Sequence, residues 1–276
     1  MRIGAALLVF CAAGLAAEEK SVLADVLSVD RTAKTAQVRS PESTAERQVI
    51  LGEADVAIGW TGRRIRYVPV RQGEKVRADR IFPADPEELR RMKETTDVLR
   101  RATADRGRMV TRMPTELVPD MALWSQDAKL VTKRDLLGRP FVLNFVFTSC
   151  RNAKMCPAAT RCMKQLGDVL DKSGSEVRLV TITFDPEVDS PGTLRAYADG
   201  YGIDGRRHLF LTGDEGQIRD LMRQYGILTA ESDGTIVHNA ATLVVSAEGR
   251  IVRRFEGATF DPEQILQSLS SLRSAR

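Results

Sequence analysis

Two cysteines and one histidine are the residues of this sequence whose types and spacing indicate chemistry. Cys150 and Cys156 flank a five-residue loop, and His238 lies far downstream, just before another apolar segment. The chain has only one other histidine, His208. Two soft thiolates and one imidazole suit Cu(I), or a site that also holds Cu(II). The same cysteines without the histidine would indicate only thiol–disulfide exchange, so the sequence leaves copper binding and redox chemistry as alternatives.

A buried strand and a helix are expected to position the two cysteines. The segment Phe141–Phe147 is apolar except for Asn144, as expected of a strand buried on both faces of a parallel sheet. A helix is predicted from Pro157, because proline is favoured in the first turn. Cys150 would then lie at the carboxyl end of the strand and Cys156 at the amino end of the helix. There the helix dipole and free backbone NH groups are expected to lower the pKa of the Cys156 thiol.

Strands and helices alternate along residues 118–276. Ser190 and Pro191 have the residue types of an N-cap and a first helical position. The predicted elements beyond the cysteines are strand Val177–Phe184, a helix from Pro191 to about Tyr201, strand Leu209–Leu211, helix Glu215–Tyr225, strands Thr242–Val245 and Ile251–Phe255, and helix Pro262–Leu272. This order, with the cysteines where the first central strand meets its helix, predicts a thioredoxin-like domain.

The segment before this domain has a different pattern. Residues 17–84 contain five short stretches in which apolar and polar residues alternate: Val22–Val29, Thr35–Val38, Gln48–Leu51, Arg64–Val70 and Lys75–Ile81. They predict a small all-β domain with an OB-like barrel. Residues 85–117 are predicted to form a helical linker, with its helix at Glu87–Arg106. The chain as a whole is therefore predicted to be α/β: a thioredoxin-like domain preceded by the small barrel and the linker.

Residues 1–16 have the composition of a signal peptide. Arg2 precedes the apolar run Ile3–Leu15, and Gly14 and Ala16 are small enough for the cleavage site. The run is shorter than the roughly 20 residues that a membrane-spanning helix needs. We expect an exported, periplasmic protein with no integral membrane span after signal cleavage. Association with the inner membrane is the alternative if the signal is retained.

The cysteine count favours a reactive pair. Of the four cysteines, Cys11 would leave with the signal peptide. An odd number in an exported protein fits a reactive pair and one spare thiol better than a disulfide framework. The spare thiol, Cys162, lies in the predicted helix after Cys156, on an apolar side with Leu166, Val169 and Leu170. We interpret it as a core residue, with a third cysteine ligand as the alternative.

The composition does not support nucleic-acid binding. The hydrophobic fraction is 43% and the charged fraction 28%, as in globular proteins. The net charge is only +4, and charges of both signs are interleaved along the chain. We therefore predict no nucleic-acid partner.

Residues 119–272 resemble the Sco/SenC family, thioredoxin-fold proteins that bind copper and help to assemble the CuA centre of cytochrome c oxidase. The resemblance lies in the order of several short segments. They are Gly138-Arg139-Pro140, Phe147-Thr148-Ser149-Cys150, Cys156-Pro157, Thr181 to Pro191 (TITFDPEVDSP), Leu211-Thr212-Gly213, Gln224-Tyr225-Gly226 and Val237-His238-Asn239. Two features depart from the family. Five residues separate the cysteines where the family usually has three, and the amino-terminal β-domain, which contains no His, Met or Cys, lies outside the resemblance.

The resemblance implies roles for individual residues. Cys150, Cys156 and His238 would be the copper ligands. Asp185, at the end of its strand, would orient the site or help to dock a partner, with a simple turn residue as the alternative. Asp189 is interpreted as a turn and capping residue. His208, at a strand entrance, is interpreted as structural.

The resemblance also implies a function. It indicates an exported chaperone that delivers copper to, or prepares the thiols of, the CuA subunit of a cytochrome c oxidase, with a periplasmic thiol reductant as a second partner. The alternative is a thiol–disulfide oxidoreductase that uses Cys150 and Cys156. Such an enzyme would normally have two residues between its cysteines and a cis-proline before the later strand, yet Val237–Thr242 contains no proline. A redox or copper sensor that docks through the β-domain is a third class. Whether the protein is an enzyme is left open.

Overall fold

Five amino-terminal strands close into a barrel in the computed structural model, which describes residues 20–232 and 235–274. The strands are β1 (Val22–Asp30), β2 (Thr35–Arg39), β3 (Glu46–Ile50), β4 (Arg64–Gln72) and β5 (Lys75–Pro83), with helix α1 (Glu53–Ile58) between β3 and β4. Their order around the barrel is β1-β2-β3-β5-β4. Neighbouring strands are antiparallel except β3 and β5, which pair in parallel at Ile50 and Arg77.

Apolar side chains at alternate positions of the strands fill the interior of the barrel. Because successive side chains of a strand point to opposite faces, every second residue enters the core. The buried core includes Ala24, Val26, Ala36, Val38, Val49, Ile65, Tyr67 and Ile81. Trp60, which follows α1, is fully buried among them. It is therefore a core aromatic residue.

A seven-stranded sheet forms the second part of the molecule. Its strands are β6 (Ala122–Ser125), β7 (Leu130–Thr132), β8 (Phe141–Val146), β9 (Arg178–Thr183), β10 (His208–Thr212), β13 (Ala241–Val245) and β14 (Ile251–Glu256), in the order β14-β13-β8-β9-β10-β6-β7. The central strands β8, β9 and β10 are parallel. Two further strands, β11 (Thr229–Ser232) and β12 (Thr235–His238), pair only with each other in a separate hairpin.

Helices cover both faces of this sheet. They are α2 (Pro86–Asp105), α3 (Lys133–Leu136), α4 (Cys156–Lys172), α5 (Pro191–Gly200), α6 (Glu215–Gln224) and α7 (Pro262–Ser274). Val142 belongs to the apolar cluster formed with α4 and α7, whereas its neighbour Leu143 belongs to the cluster that includes α2 and α6. Burial on both faces explains why the β8 sequence is apolar throughout. In the part of the chain that the structure describes, none of the helices combines the length and apolarity needed to cross a membrane.

The barrel and the sheet share a packed boundary. Arg63 of the barrel donates a hydrogen bond to the Ala128 carbonyl oxygen in the β6–β7 turn (2.7 Å) and pairs with Asp85 and Glu88 around the start of α2. Glu88 also accepts a hydrogen bond from Trp124 Nε1 on β6 (3.0 Å). Ala128 itself is fully buried in the apolar cluster of the barrel. The turn of the sheet therefore completes the core of the barrel.

Most predicted elements are present within a few residues of their predicted bounds. The closed five-stranded barrel and the mixed α/β fold are confirmed. The prediction for Cys162 is wrong in part, because the inward stripe of α4 runs through Met163, Leu166 and Leu170. Residues spaced three and four apart make that stripe. Cys162 lies half-buried at its margin and Val169 is 40% exposed. The predicted signal peptide, residues 1–16, lies outside the described residues.

Candidate metal site

Three elements bring the predicted ligands together at the carboxyl edge of the central strands. Cys150 lies in the loop after β8, Cys156 begins α4, and His238 ends β12. Their ligand atoms, two Sγ and one imidazole nitrogen, all lie within 4.8 Å of one another. Cys156 Sγ is 3.4 Å from His238 Nε2. The structure thus assembles the donor set that the sequence predicted, despite the five residues between the cysteines.

The two thiols differ in accessibility. Cys156 is 1% exposed and packs with Val146, Phe147 and Ala159. Cys150 is only half-buried and packs against the outside of this cluster. The three cysteines that the structure describes are free thiols. A reagent from solvent therefore reaches Cys150 before Cys156.

Hydrogen bonds fix the orientation of His238. Its Nδ1 lies 2.7 Å from the carbonyl oxygen of Asn239, so Nδ1 carries the proton and donates it to that oxygen. The unprotonated Nε2 then faces Cys156. Asn239 is itself held, because its side chain accepts from Leu228 N (2.7 Å) and donates to the Gly226 carbonyl oxygen (3.0 Å).

Burial disfavours the charged forms of Cys156 and His238. It raises the pKa of the Cys156 thiol, and the neighbouring Cys150 raises it further. The expectation that the helix terminus lowers this pKa is therefore wrong, since desolvation outweighs the backbone hydrogen bonds that favour the thiolate. Burial also lowers the pKa of His238. The contact between the two residues is that of a neutral thiol and a neutral imidazole, and metal binding must release the thiol protons.

The loop before Cys150 is anchored by a carboxylate whose role the sequence did not reveal. Asp189 is fully buried and accepts hydrogen bonds from the Thr148 backbone NH (3.1 Å), the Thr148 hydroxyl and the Thr183 hydroxyl (2.5 Å). Burial raises its pKa to about 6. Asp189 was predicted to serve in a turn. It does lie beside the Ser190 N-cap of α5, but it also ties the ends of β8 and β9 together.

Asp185 and His208 are not members of the donor group formed by Cys150, Cys156 and His238. Asp185 is half-buried in the loop after β9, where burial raises its pKa. No described hydrogen bond joins it to the three donors, so its proposed orienting role stays a prediction. His208 is buried away from the donor group, and its Nε2 lies 2.7 Å from Thr181 Oγ1. Burial lowers its pKa to about 3, which agrees with its structural interpretation.

The donor group fits a soft metal ion. The 3.4 Å between Cys156 Sγ and His238 Nε2, and the limit of 4.8 Å on all the donor separations, would allow the three residues to hold one ion. Two thiolates and one imidazole match the preferences of copper. Fold and site together define a thioredoxin-like protein with a Cys–Cys–His group suited to binding copper at its sheet edge.

Comparisons with known proteins agree with this class. The SCO1/SenC family model matches residues 109–274, more than half of the chain. The SCO1 protein homolog of Bacillus subtilis is 26% identical over 152 residues, which cover 53% of this chain and 78% of the relative. The chain belongs to the SCO1/SenC family.

Solved structures show the same fold. Arabidopsis thaliana ScoI with copper bound is 22% identical to this chain, with a TM-score of 0.50, and the alignment covers 58% of this chain and 100% of ScoI. BsSco is described as a member of the Sco family of cytochrome c oxidase assembly proteins with a disulfide switch. It is 23% identical, with a TM-score of 0.53, and the alignment covers 60% of this chain and 99% of BsSco.

Proposed function

We propose that this protein is a copper chaperone that holds one copper ion between Cys150, Cys156 and His238 and passes it to the CuA subunit of a cytochrome c oxidase. The observation that carries the proposal is the convergence of two thiols and one imidazole within 4.8 Å. Membership in the SCO1/SenC family and the copper-bound form of Arabidopsis ScoI support copper as the ion. Three donors leave room for a ligand of the acceptor, so transfer can proceed by ligand exchange.

Copper loading and disulfide formation exclude each other at this pair. Copper needs both thiolates, whereas a Cys150–Cys156 disulfide removes them. Export would place the protein in an oxidising compartment. A dithiol reductant must then supply two electrons and two protons to open each disulfide, and is itself oxidised to a disulfide. We therefore include a periplasmic thiol reductant among the partners.

Thiol–disulfide exchange is the second candidate function, favoured by the unequal burial of the thiols. The accessible Cys150 can attack a partner's disulfide, and the adjacent Cys156 can resolve the product. In this role the protein would reduce the CuA cysteines of the oxidase subunit before copper arrives. The disulfide switch described for BsSco supports this candidate.

The organisation of the chain follows from the same proposal. Residues 1–16 would be the signal peptide, 17–84 the β-domain, 85–117 the helical linker and 118–276 the thioredoxin-like domain. The strand order β1-β2-β3-β5-β4, with a helix between β3 and β4, supports an OB-like assignment for the barrel. The barrel would serve as a docking module in the periplasm.

Copper titration tests the chaperone proposal. The reduced protein should bind one equivalent of Cu(I) in competition with a chromophoric Cu(I) chelator. His238→Ala should weaken binding about 100-fold, because one of three ligands is lost, and either Cys150→Ala or Cys156→Ala should abolish tight binding. Cys162→Ala is the matched control, since this half-buried thiol lies outside the donor group. Unchanged affinity in His238→Ala would refute the three-ligand site.

A further inference from the structure

We propose that Phe184 is a positioning residue that, together with Phe147, forms an aromatic seat for the metal-binding imidazole of His238. The ring centroids of Phe184 and His238 are 4.6 Å apart at a tilt of 55°. Phe147 meets the same imidazole edge-on, at 5.8 Å and 81°. These separations lie in the range in which aromatic rings attract one another. The inference rests on the proposed function, because it assigns His238 as a ligand.

The seat is built on the rigid part of the fold. Phe147 and Phe184 directly follow the parallel strands β8 and β9, whose last residues pair as Val146 and Thr183. Their rings touch, with centroids 5.0 Å apart. Phe147 is buried and Phe184 half-buried. The two rings therefore form one continuous surface at the edge of the sheet, beside Cys156.

His238 needs such a surface because its own hairpin gives it little support. Among the residues that the structure describes, strands β11 and β12 pair only with each other and do not extend the seven-stranded sheet. Asn239 holds the base of this hairpin through Leu228 and Gly226. These bonds fix the backbone. The single hydrogen bond from Nδ1 to the Asn239 carbonyl oxygen holds one edge of the imidazole, which leaves the ring able to turn about that bond. The rings of Phe147 and Phe184 restrict that turn and keep Nε2 directed at Cys156 Sγ.

A preorganised ligand binds more tightly, because less conformational freedom is lost when the metal arrives. Removing the Phe184 ring should therefore weaken copper binding only through His238. We expect Phe184→Leu to weaken Cu(I) binding about threefold to tenfold, the range that corresponds to one aromatic pair.

A double-mutant cycle separates positioning from general damage. Cu(I) affinity is measured by chelator competition for the wild type, Phe184→Leu, His238→Ala and the double variant. The expected result is a loss from Phe184→Leu in the wild-type background and none in the His238→Ala background. Phe184→Tyr, which keeps the ring, should restore affinity to within about twofold. Phe260→Leu is the matched control, because Phe260 is also half-buried but packs in the separate cluster near α7.

A metal-free measurement tests the seat independently of copper. In the reduced wild type, NMR should show the His238 ring protons shifted upfield by the neighbouring rings, with Nδ1 protonated. Phe184→Leu should move these signals toward the values of a solvent-exposed histidine, and Phe260→Leu should not. Equal losses of affinity in both backgrounds, or unchanged His238 signals in Phe184→Leu, would overturn the inference. Failure of the wild type to bind copper would instead refute the proposed function, and the NMR result would still decide whether the seat exists.

Discussion

At the scale of single residues, the two thiols of the site have different chemistry although both lie within reach of one metal ion. Burial of Cys156 raises its pKa and shields it from reagents, whereas Cys150 is half-exposed. In thiol–disulfide exchange, access and thiolate character decide which sulfur attacks first. We therefore predict that Cys150 forms the mixed disulfide in any such exchange and that Cys156 resolves it.

This asymmetry predicts a trapped intermediate. With oxidised glutathione, Cys156→Ser in a Cys162→Ala background should accumulate a stable mixed disulfide at Cys150, because the resolving thiol is gone. Cys150→Ser in the same background should react at least about tenfold more slowly, since its remaining thiol is buried. Intact-mass spectrometry against time measures both reactions. Equal rates of glutathione addition to the two variants would contradict the assignment.

The residues predicted from sequence alone are those whose type limits their chemistry. Cysteine and histidine have few roles in an α/β domain, so the sequence alone predicts Cys150, Cys156 and His238 as candidate ligands. Asp189 and Phe184 were not recognised in their present roles. A carboxylate beside Ser190-Pro191 has the pattern of an ordinary turn, and a phenylalanine at a strand end has the pattern of core. Their roles depend on which strand ends meet, and only the assembled sheet determines that.

At the scale of elements, the sequence predicts the helices and strands that have a clear hydrophobic period. It does not predict the elements that are too short to show one. The long apolar run that became β8 and the alternating stretches of the barrel have strong periodicity. Helix α1 has six residues and the strands β6, β7, β11 and β12 only three or four, too few to show a period. Tertiary contacts form these short elements, as when the hairpin of β11 and β12 is closed by Asn239.

Asp189 connects three elements, the ends of β8 and β9 and the start of α5, and it makes stability depend on pH. Burial raises its pKa from the ordinary 3.8 to about 6, although the hydroxyls of Thr148 and Thr183 favour the charged form. The unfolded chain therefore releases this proton first as the pH rises. Between about pH 4 and 6 the folded state holds more protons, so the contribution of Asp189 to the free energy of unfolding falls by about 2–3 kcal/mol.

Asp189→Asn tests this dependence because asparagine does not titrate. The quantity to measure is the difference in the free energy of unfolding, wild type minus variant. This difference should fall by about 2–3 kcal/mol between pH 4 and pH 6.5. Urea unfolding at several pH values measures it. Taking the difference removes the contribution of Asp55, whose pKa burial raises to about 7. Asp199→Asn, at an exposed position of α5, is the matched control for replacing a carboxylate by an amide. A flat difference for Asp189→Asn would contradict the argument.

At the scale of the whole molecule, the barrel is part of the same folded body as the thioredoxin-like sheet. Ala128 from the β6–β7 turn lies in the barrel core, and Arg63 bonds to its carbonyl oxygen. The sequence predicts both parts but not this boundary. Charged residues such as Arg63 and Glu88 have the same sequence pattern whether they pair at a boundary or face solvent. Their pairing is evident only when the strand order is known.

The boundary predicts that the two parts unfold together and that Arg63 couples them. Arg63→Ala would leave Asp85 and Glu88 without their partner, although both side chains are about one-third exposed. The cost should be about 1–3 kcal/mol, less than for a fully buried pair. The protein contains two tryptophans, Trp60 in the barrel core and Trp124 on β6. Single-tryptophan variants, Trp124→Phe and Trp60→Phe, therefore report on each part separately.

In urea, the two single-tryptophan proteins should show coincident fluorescence transitions as long as Arg63 is present. With Arg63→Ala, the Trp60 transition should move to lower urea and separate from the Trp124 transition, because the barrel loses its attachment before the sheet melts. Arg64→Ala is the matched control: Arg64 pairs with Asp25 inside the barrel at 2.7 Å, so its loss leaves that boundary intact. Coincident transitions in Arg63→Ala would show that apolar packing around Ala128 couples the two parts without the ion pairs.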